Sequence, residues 1–345
     1  MIIRLNEKDA MTTWRTLPAL LANRRQFLRL AAGAVAFSVL VVCGQDASSQ
    51  ASKTIKFIIP VPPGGAVDFL ARLLAEQIGR SQGLTIVIES RPGAGGRIAT
   101  EAVARLAPDG TTLLMTYPSL VIDPHVRKVN YEPLTSFDPI CNLVEAPNVI
   151  VVNSASSYRS LGQLMDAARS RPGEITMASI GPASNQHIAI EAVKRASNVA
   201  LTYVPYPGSA PTVNALLGEH VTALLAAYSN VSEQISVGNL RALAVAAPKR
   251  VEALPDIPTA DEAGYKDFAL ENWFGVIAPA KTPKDIAAQF AGWFTSALQV
   301  SDVKAKLVAQ GLYPVGACGA DFAALLRKQY DDFGRIIREV NIKAE

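Results

Sequence analysis

From residue 55 the apolar positions first run together and then spread out. IKFIIP (55–60) is a short apolar run with β-branched residues, the pattern of a buried strand. Val67, Leu70, Ala71, Leu74, Ala75 and Ile78 then recur at the three-and-four spacing of one helix face, with Gly79 where a C-terminal cap would stand. Between them lies Pro62-Pro63-Gly64-Gly65-Ala66. A strand that runs through a glycine turn into a helix leaves backbone N–H groups unpaired and aimed at one place, a site for a carboxylate or phosphate. The same residues also suit a tight connection that binds nothing.

The grammar repeats. LTIVIE (84–89) reads as a strand, 91–96 (RPGAGG) as a glycine loop, and Ile98, Ala102, Val103 and Leu106 as a helix face. Pro108-Asp109-Gly110 is a turn signal before a third strand at 112–116. From residue 148 the pattern restarts, with strands at 149–152, 175–180, 201–204, 221–227 and 240–246. Helices at 160–170, 188–196 and 212–217 alternate with them, and 273–278 is a strand returning toward the first unit. Helical patterns at 283–300, 301–310 and 320–340 close the chain. Alternating strands and helices predict an α/β protein whose sheets are mostly parallel and covered by helices, with ligands at the carboxyl ends of the strands. Two such units predict a ligand held between lobes, the first from 52–152 plus 276–345 and the second from 153–275.

The first 51 residues read as an export signal. Arg24-Arg25 opens a twin-arginine pattern, 30–42 is an uncharged, mostly apolar run, and Ser49-Gln50-Ala51 resembles a cleavage site. Cys43 offers a lipoprotein anchor instead, but the bulky Val41-Val42 before it argues for cleavage. This changes the charge balance. Six of the 33 basic and three of the 30 acidic residues lie in this region, so the remainder is formally neutral and has no basic surface for nucleic acid. Two cysteines remain, Cys141 and Cys318, which an exported protein could pair or bury separately.

Catalytic motifs are scarce. The 93–98 segment (GAGGRI) fails both the dinucleotide fingerprint and the Walker loop. His125, His187 and His220 are far apart in sequence, and no HExxH, CxxC or metal-ligand cluster occurs. Ser184 and His187 could be imagined as nucleophile and base, but a histidine at a helix start more commonly caps or hydrogen-bonds. Asp68, in the first turn of its helix, suits a cap that complements the dipole. The residues point to binding without turnover, with no cofactor and no metal.

Together, PPGGAVDFLAR (62–72), ESRPGAGG (89–96), PDGTTLL (108–114), PYPGSAP (205–211), LRALAV (240–245), LPDIPTADEAG (254–264) and NWFGVIAPAKTP (272–283) carry a resemblance. In this order they resemble the Bug family, the periplasmic substrate-binding proteins of tripartite tricarboxylate transporters. The resemblance covers essentially the whole mature chain. It implies a two-lobe, type II periplasmic binding fold (a Venus flytrap) that closes on a small carboxylate and delivers it to membrane transporter subunits. It further implies that Pro63, Gly64, Gly65, Ala66, Val67 and Asp68 grip a ligand carboxylate from one lobe. The loop at 179–187, with Ser179, Gly181, Ser184, Asn185 and His187, would grip it from the other, while Tyr117, Ser119, Tyr206 and the segment 227–230, with Ala227 and Tyr228, line the remaining cleft. A monomer is expected. A sensor that reports to a membrane kinase, or a hydrolase built on Ser184 and His187, would be the alternatives. Departures at Val61-Pro62, Pro207 and Ala226-Ala227-Tyr228 leave the ligand's identity open.

Overall fold

The computed structural model describes residues 54–182, 184–265 and 272–342, and the export signal expected from the sequence, with Cys43, lies outside them. Six strands make the first sheet: β1 (Thr54–Ile59), β2 (Thr85–Ser90), β3 (Thr112–Thr116), β4 (Phe137–Glu145), β10 (Trp273–Pro279) and β11 (Tyr313–Cys318). Their order is β11-β4-β10-β3-β1-β2. Five make the second: β5 (Asn148–Asn153), β6 (Thr176–Ile180), β7 (Thr202–Tyr206), β8 (Ala223–Ala227) and β9 (Leu240–Ala246), in the order β7-β6-β8-β5-β9.

Each sheet is covered on both faces, as its doubly apolar strands require. Successive side chains of β1 diverge. Phe57 packs with Leu70, Leu74, Phe290 and Phe294 from α1 (Ala66–Gln82) and α8 (Lys284–Gln299), beside α9 (Ser301–Ala309). Ile58 packs with Val103, Leu120 and Phe322 from α2 (Arg97–Val103), α3 (Ser119–Val126) and α10 (Ala320–Val340). The second sheet is sandwiched the same way. On one side are α4 (Leu161–Ser170) and α5 (Asn185–Ala196), and on the other is α6 (Ser209–Leu217), with the short α7 (Ser232–Ser236) near β9.

The sheets are mixed rather than mostly parallel. β1, β2 and β3 are mutually parallel, as are β6, β7 and β8, but β10, β4 and β11 join the first sheet antiparallel and β5 joins the second antiparallel. The reversal follows from the crossings between sheets. β4 ends at Glu145, and Ala146-Pro147 leads directly into β5, so the carboxyl edge of the first sheet meets the corresponding edge of the second. β5 thus pairs in the second sheet and all of β10 in the first, placing the crossings at 146–147 and before Trp273 rather than at 152/153 and 275/276.

The crossing segments are laced together. Ala146 N–H donates to Asn272 O (2.8 Å), Asn272 Nδ2 donates back to Ala146 O (2.9 Å), and Tyr228 N–H donates to Pro147 O (2.8 Å). On a different path, α5 leans on α10. Ile188 of α5 is fully buried in the cluster of Trp273 and Phe322, and Arg195 donates to the carbonyl of Glu339.

Two details differ from the sequence pattern. Gly79 lies inside α1, and the cap is Gly83, whose left-handed φ of 65° turns its N–H back to Gly79 O. β4, α3, β11 and α7 carry no clean strand or helix period, and the alternation reading passed over them. Cys141 and Cys318, opposite one another in β4 and β11, are joined by a disulfide. Among the described residues no helix is long and apolar enough to cross a membrane, and no cluster of His, Cys, Asp and Glu could hold a metal.

Candidate ligand site between the lobes

In the first lobe the site begins where β1 ends. Ser90 donates its hydroxyl to Val61 O (2.6 Å) and Arg91 N–H donates to Ile59 O (2.9 Å), so the loop leaves a fixed edge. Pro62, Pro63, Gly64 and Gly65 are exposed, and Gly65 stands at the N-cap of α1 without a side chain to cap it. Asp68 supplies what Gly65 lacks, but one residue earlier. Its buried carboxylate accepts from Gly64 N–H (3.0 Å) and from Arg72 Nε (2.9 Å). Burial pushes the Asp68 carboxyl up, but the bonds from Arg72 and Gly64 outweigh it and hold the group below its usual range. The N–H groups of Gly65, Ala66 and Val67 have no partner among the described residues. They stand at the positive end of a 17-residue helix.

Tyr117 and Ser119 lie beside this loop, just past β3. The Tyr117 hydroxyl donates to Gly95 O (2.9 Å), and burial pushes its pKa up to about 12. A Cβ on Gly96 would lie 2.6 Å from that hydroxyl, so the glycine loop of 93–96 is the seat of Tyr117. Its function here is packing.

In the second lobe the loop after β6 is braced from beneath. Tyr203 donates its hydroxyl to Gly181 O (2.7 Å), Gly181 N–H donates to Tyr206 O (2.8 Å), and Ser179 Oγ lies 3.4 Å from the Tyr203 hydroxyl. Ser184 caps α5, accepting from His187 N–H (3.1 Å) while donating to Ile180 O (2.6 Å). Its proton is therefore directed at a backbone carbonyl, which is not the arrangement of an activated nucleophile. The His187 imidazole stacks on Tyr203, centroids 3.9 Å apart and planes within 7°. Burial pushes its pKa down, against Glu191 3.9 Å away, so it is neutral above its ordinary range. Asn185 and Gln186 are buried at the first turn, and Gln186 Nε2 donates to Asn148 Oδ1 (3.1 Å) at the start of β5.

The remaining residues separate. Tyr206 is half-buried at the end of β7. Ala227 borders a small recess together with Gln186, Ser209, Thr212 and Asn230. Tyr228 lies at the crossing, where its ring covers Gly311, a position at which a Cβ would overlap it. Sequence reasoning passed over Tyr203 and Ser209, while Gln186 and Asn230 fall in the segments 179–187 and 227–230 that the resemblance brings to the cleft. Ser209 follows Gly208 at a third strand-to-helix junction, which was the available signal; Tyr203 sits inside a pattern that reads as an ordinary strand.

The comparison with known families decides the class. Residues 70–342 match TctC, the tripartite tricarboxylate transporter family receptor. The chain belongs to the TctC family. Protein BugT of Bordetella pertussis is 33% identical over 86% of this chain and 92% of its own length. Among solved structures, an R. palustris protein with adipate superposes with a TM-score of 0.78 at 28% identity, covering 86% of this chain and 99% of that one. MatC from Rhodopseudomonas palustris with bound malate gives 0.72 at 28%, covering 82% and 98%. This TctC-family chain therefore has the α/β architecture of periplasmic binding proteins and is a binding protein, not an enzyme. The cap geometry of Ser184 agrees with that.

Proposed function

We propose that the protein is an exported periplasmic receptor that captures a small carboxylate between its lobes and delivers it to membrane transporter subunits. The observation that carries this reading is the row of unpartnered N–H groups at Gly65, Ala66 and Val67, at the start of α1 and on the edge that faces the second lobe. A carboxylate would accept from them and oppose the helix dipole favourably. Side-chain cations take little part. Arg72 is engaged by Asp68, and His187 is neutral. From the second lobe, the capped start of α5 and the loop held by Tyr203 close over the ligand, with Tyr117 and Tyr206 at its sides. The lobes are the two sheets with their helices, and the laced crossings at 146–147 and 272 are their hinge.

The relatives support the ligand class, since one is seen with adipate and another with malate. Delivery to transporter subunits is supported by the family to which the chain belongs. The test is a thermal-shift screen of the purified protein against carboxylates and their amides. A ligand at about a hundred times its Kd raises stability by roughly 2.7 kcal/mol, a visible shift in midpoint. Carboxylates should stabilise and fully amidated analogues should not. Stabilisation by uncharged compounds alone would remove the anion site.

A further inference from the structure

The turn that joins α9 to β11 belongs with the first sheet but touches the layer of the second. Gly311 N–H donates to Val308 O (2.9 Å) and Leu312 N–H to Leu307 O (3.0 Å). The Leu312 side chain is fully buried in the first sheet's core, in the cluster that holds Leu307. Tyr313 then pairs with Glu145, the last residue of β4, and the disulfide ties Cys318 at the far end of β11 to Cys141. The turn is thereby fixed to the strand that leads into the crossing at 146–147.

What the turn touches is Tyr228. This ring is buried in the cluster of Val231 and Val251 that covers the second sheet, and Tyr313 packs against the same cluster. A Cβ on Gly311 would lie 2.4 Å from Tyr228 Cδ1 and 3.3 Å from Ser229 N, at a φ of +67°. Glycine adopts that φ freely and lets a ring lie on the main chain itself. A flat ring on bare backbone can turn or slide without unseating an interlocked side chain. Ile188, fully buried in the first sheet's cluster, makes a contact of the opposite kind, held by packing on all sides. Tyr228 is also tied to its surroundings through its main chain. Its N–H donates to Pro147 O (2.8 Å) at the crossing, and its neighbours Ala227 and Asn230 border the recess.

Resting on the two-lobe reading above, we propose that Tyr228 is a positioning residue for closure. Its ring bears on the Gly311 backbone, and this contact sets the angle between the lobes and the placement of 227–230 beside the ligand. Tyr228 then acts without touching the ligand. Ordinary van der Waals contact begins near 3.4 Å, so a methyl group on residue 311 would drive the ring back by about 1 Å. Because the contact lies beside the crossing, a displacement of that size is magnified toward the mouth of the cleft.

The experiment is small-angle X-ray scattering of the purified protein and its variants, with calorimetric titration against malate and the dicarboxylates of three to six carbons. Gly311→Ala should change the ligand-free scattering profile and weaken the best-bound carboxylate about tenfold. In a Tyr228→Phe background, where the ring remains, it should act as it does in the parent. In a Tyr228→Ala background it should leave the profile where Tyr228→Ala alone puts it and change affinity by less than about twofold. Its backbone strain would still lower the melting midpoint there, so the midpoint and the profile separate. If Gly311→Ala does not fold, Tyr228→Ala decides alone, because loss of the ring should alter the ligand-free profile and Tyr228→Phe should alter it less. If Gly311→Ala lowers only the midpoint, or shifts the profile equally with and without the ring, this inference is overturned and the two-lobe reading stands. If the parent binds a carboxylate without becoming more compact, the closure reading falls and takes the inference with it. If no carboxylate binds, the carboxylate reading falls by itself, and the ligand-free profiles decide the inference.

Discussion

Gly96→Ala probes the seat on which the Tyr117 ring rests. The new Cβ would lie 2.6 Å from the Tyr117 hydroxyl and 3.2 Å from Pro60 Cβ, at a residue whose φ is +94°. Two penalties combine. Holding an L-residue in that left-handed region costs about 1–3 kcal/mol, and overpacking a seated aromatic costs about 1–3 kcal/mol. A total of roughly 2–6 kcal/mol corresponds to a midpoint lower by roughly 3–10 °C for a folded unit of this size. The assay is thermal denaturation of the ligand-free protein followed by circular dichroism. The matched control is Gly65→Ala, where φ is −96° and nothing lies within 4 Å of the added Cβ. That variant should stay within about 0.5 kcal/mol of the parent.

The attribution to Tyr117 is testable by a double-mutant cycle. Tyr117→Phe alone removes the hydrogen bond to Gly95 O, a loss of about 1 kcal/mol. Combined with Gly96→Ala, it also removes the oxygen that the Cβ meets. The two changes should therefore cost less together than the sum of each, by about 1 kcal/mol or more. Additivity within about 0.3 kcal/mol would refute the contact, and a neutral Gly96→Ala would refute the seat altogether.

Gly65→Ala should also separate folding from binding, because it leaves the free protein's midpoint unchanged while weakening the shift produced by a carboxylate that binds the parent; an unchanged ligand shift counts against the α1 anion site. Replacing Cys141 and Cys318 by alanine removes a bond spanning 177 residues of sequence and should destabilise by about 2–5 kcal/mol, read as a lower denaturation midpoint that reductant no longer alters. Asp123 is buried, and burial pushes its pKa up to about 6 against the pull of Arg127 and Arg97. A carboxyl whose pKa is raised on folding favours the folded state below its unfolded value near 3.8, and that contribution is lost as pH rises toward 6. Asp123→Asn should therefore gain on the parent by up to about 3 kcal/mol between pH 4 and pH 7, and a constant or opposite difference in urea titrations would show the carboxylate to be well solvated. Because burial holds His187 neutral and Asp68 stays ionised, carboxylate affinity should be flat from about pH 7 to 8; a histidine-like fall across that interval would assign a cation to the site.

The parallel βαβ half of each lobe was legible because its strands are buried on both faces and end in glycine turns. β1, β3 and β6 stand at 54–59, 112–116 and 176–180, within a residue of the pattern. Of the antiparallel strands, β5, β9 and β10 were legible as well, but β4 and β11 were not. β4 carries Asp138, Pro139 and Asn142 among its apolar residues, and β11 carries Pro314 and Gly316, so neither shows a clean strand period. Pairing with β10 establishes β4, and pairing with β4 and the disulfide establish β11; all are tertiary facts. Gly79 misled because a glycine at the right spacing looks like a cap; Gly83 takes that place because the chain must turn at Leu84 to enter β2. At the site, the loop residues could be read from their own chemistry. Their supports could not. Tyr203 looks like any strand aromatic until its hydroxyl meets Gly181 O, and Gln186 like any polar helix residue until Asn148 fixes its amide.

The placement of Asp68 explains how an acidic residue can stand beside an anion site. Its carboxylate is turned away from the N–H row, toward Gly64 and Arg72, and its charge is matched locally by that guanidinium. The loop is thereby held in one shape by a side chain that belongs to the helix it precedes. In the proposed site the ligand's charge would then be left to main-chain donors, whose positions do not depend on rotamers. On the other lobe a serine does the corresponding work, capping α5 through Ser184 and tying it to Ile180. Both supports are internal to their own lobe, so neither has to form when the cleft closes. In the proposed site, a loop and a helix start that are already held in place would reduce what binding must immobilise, which favours affinity.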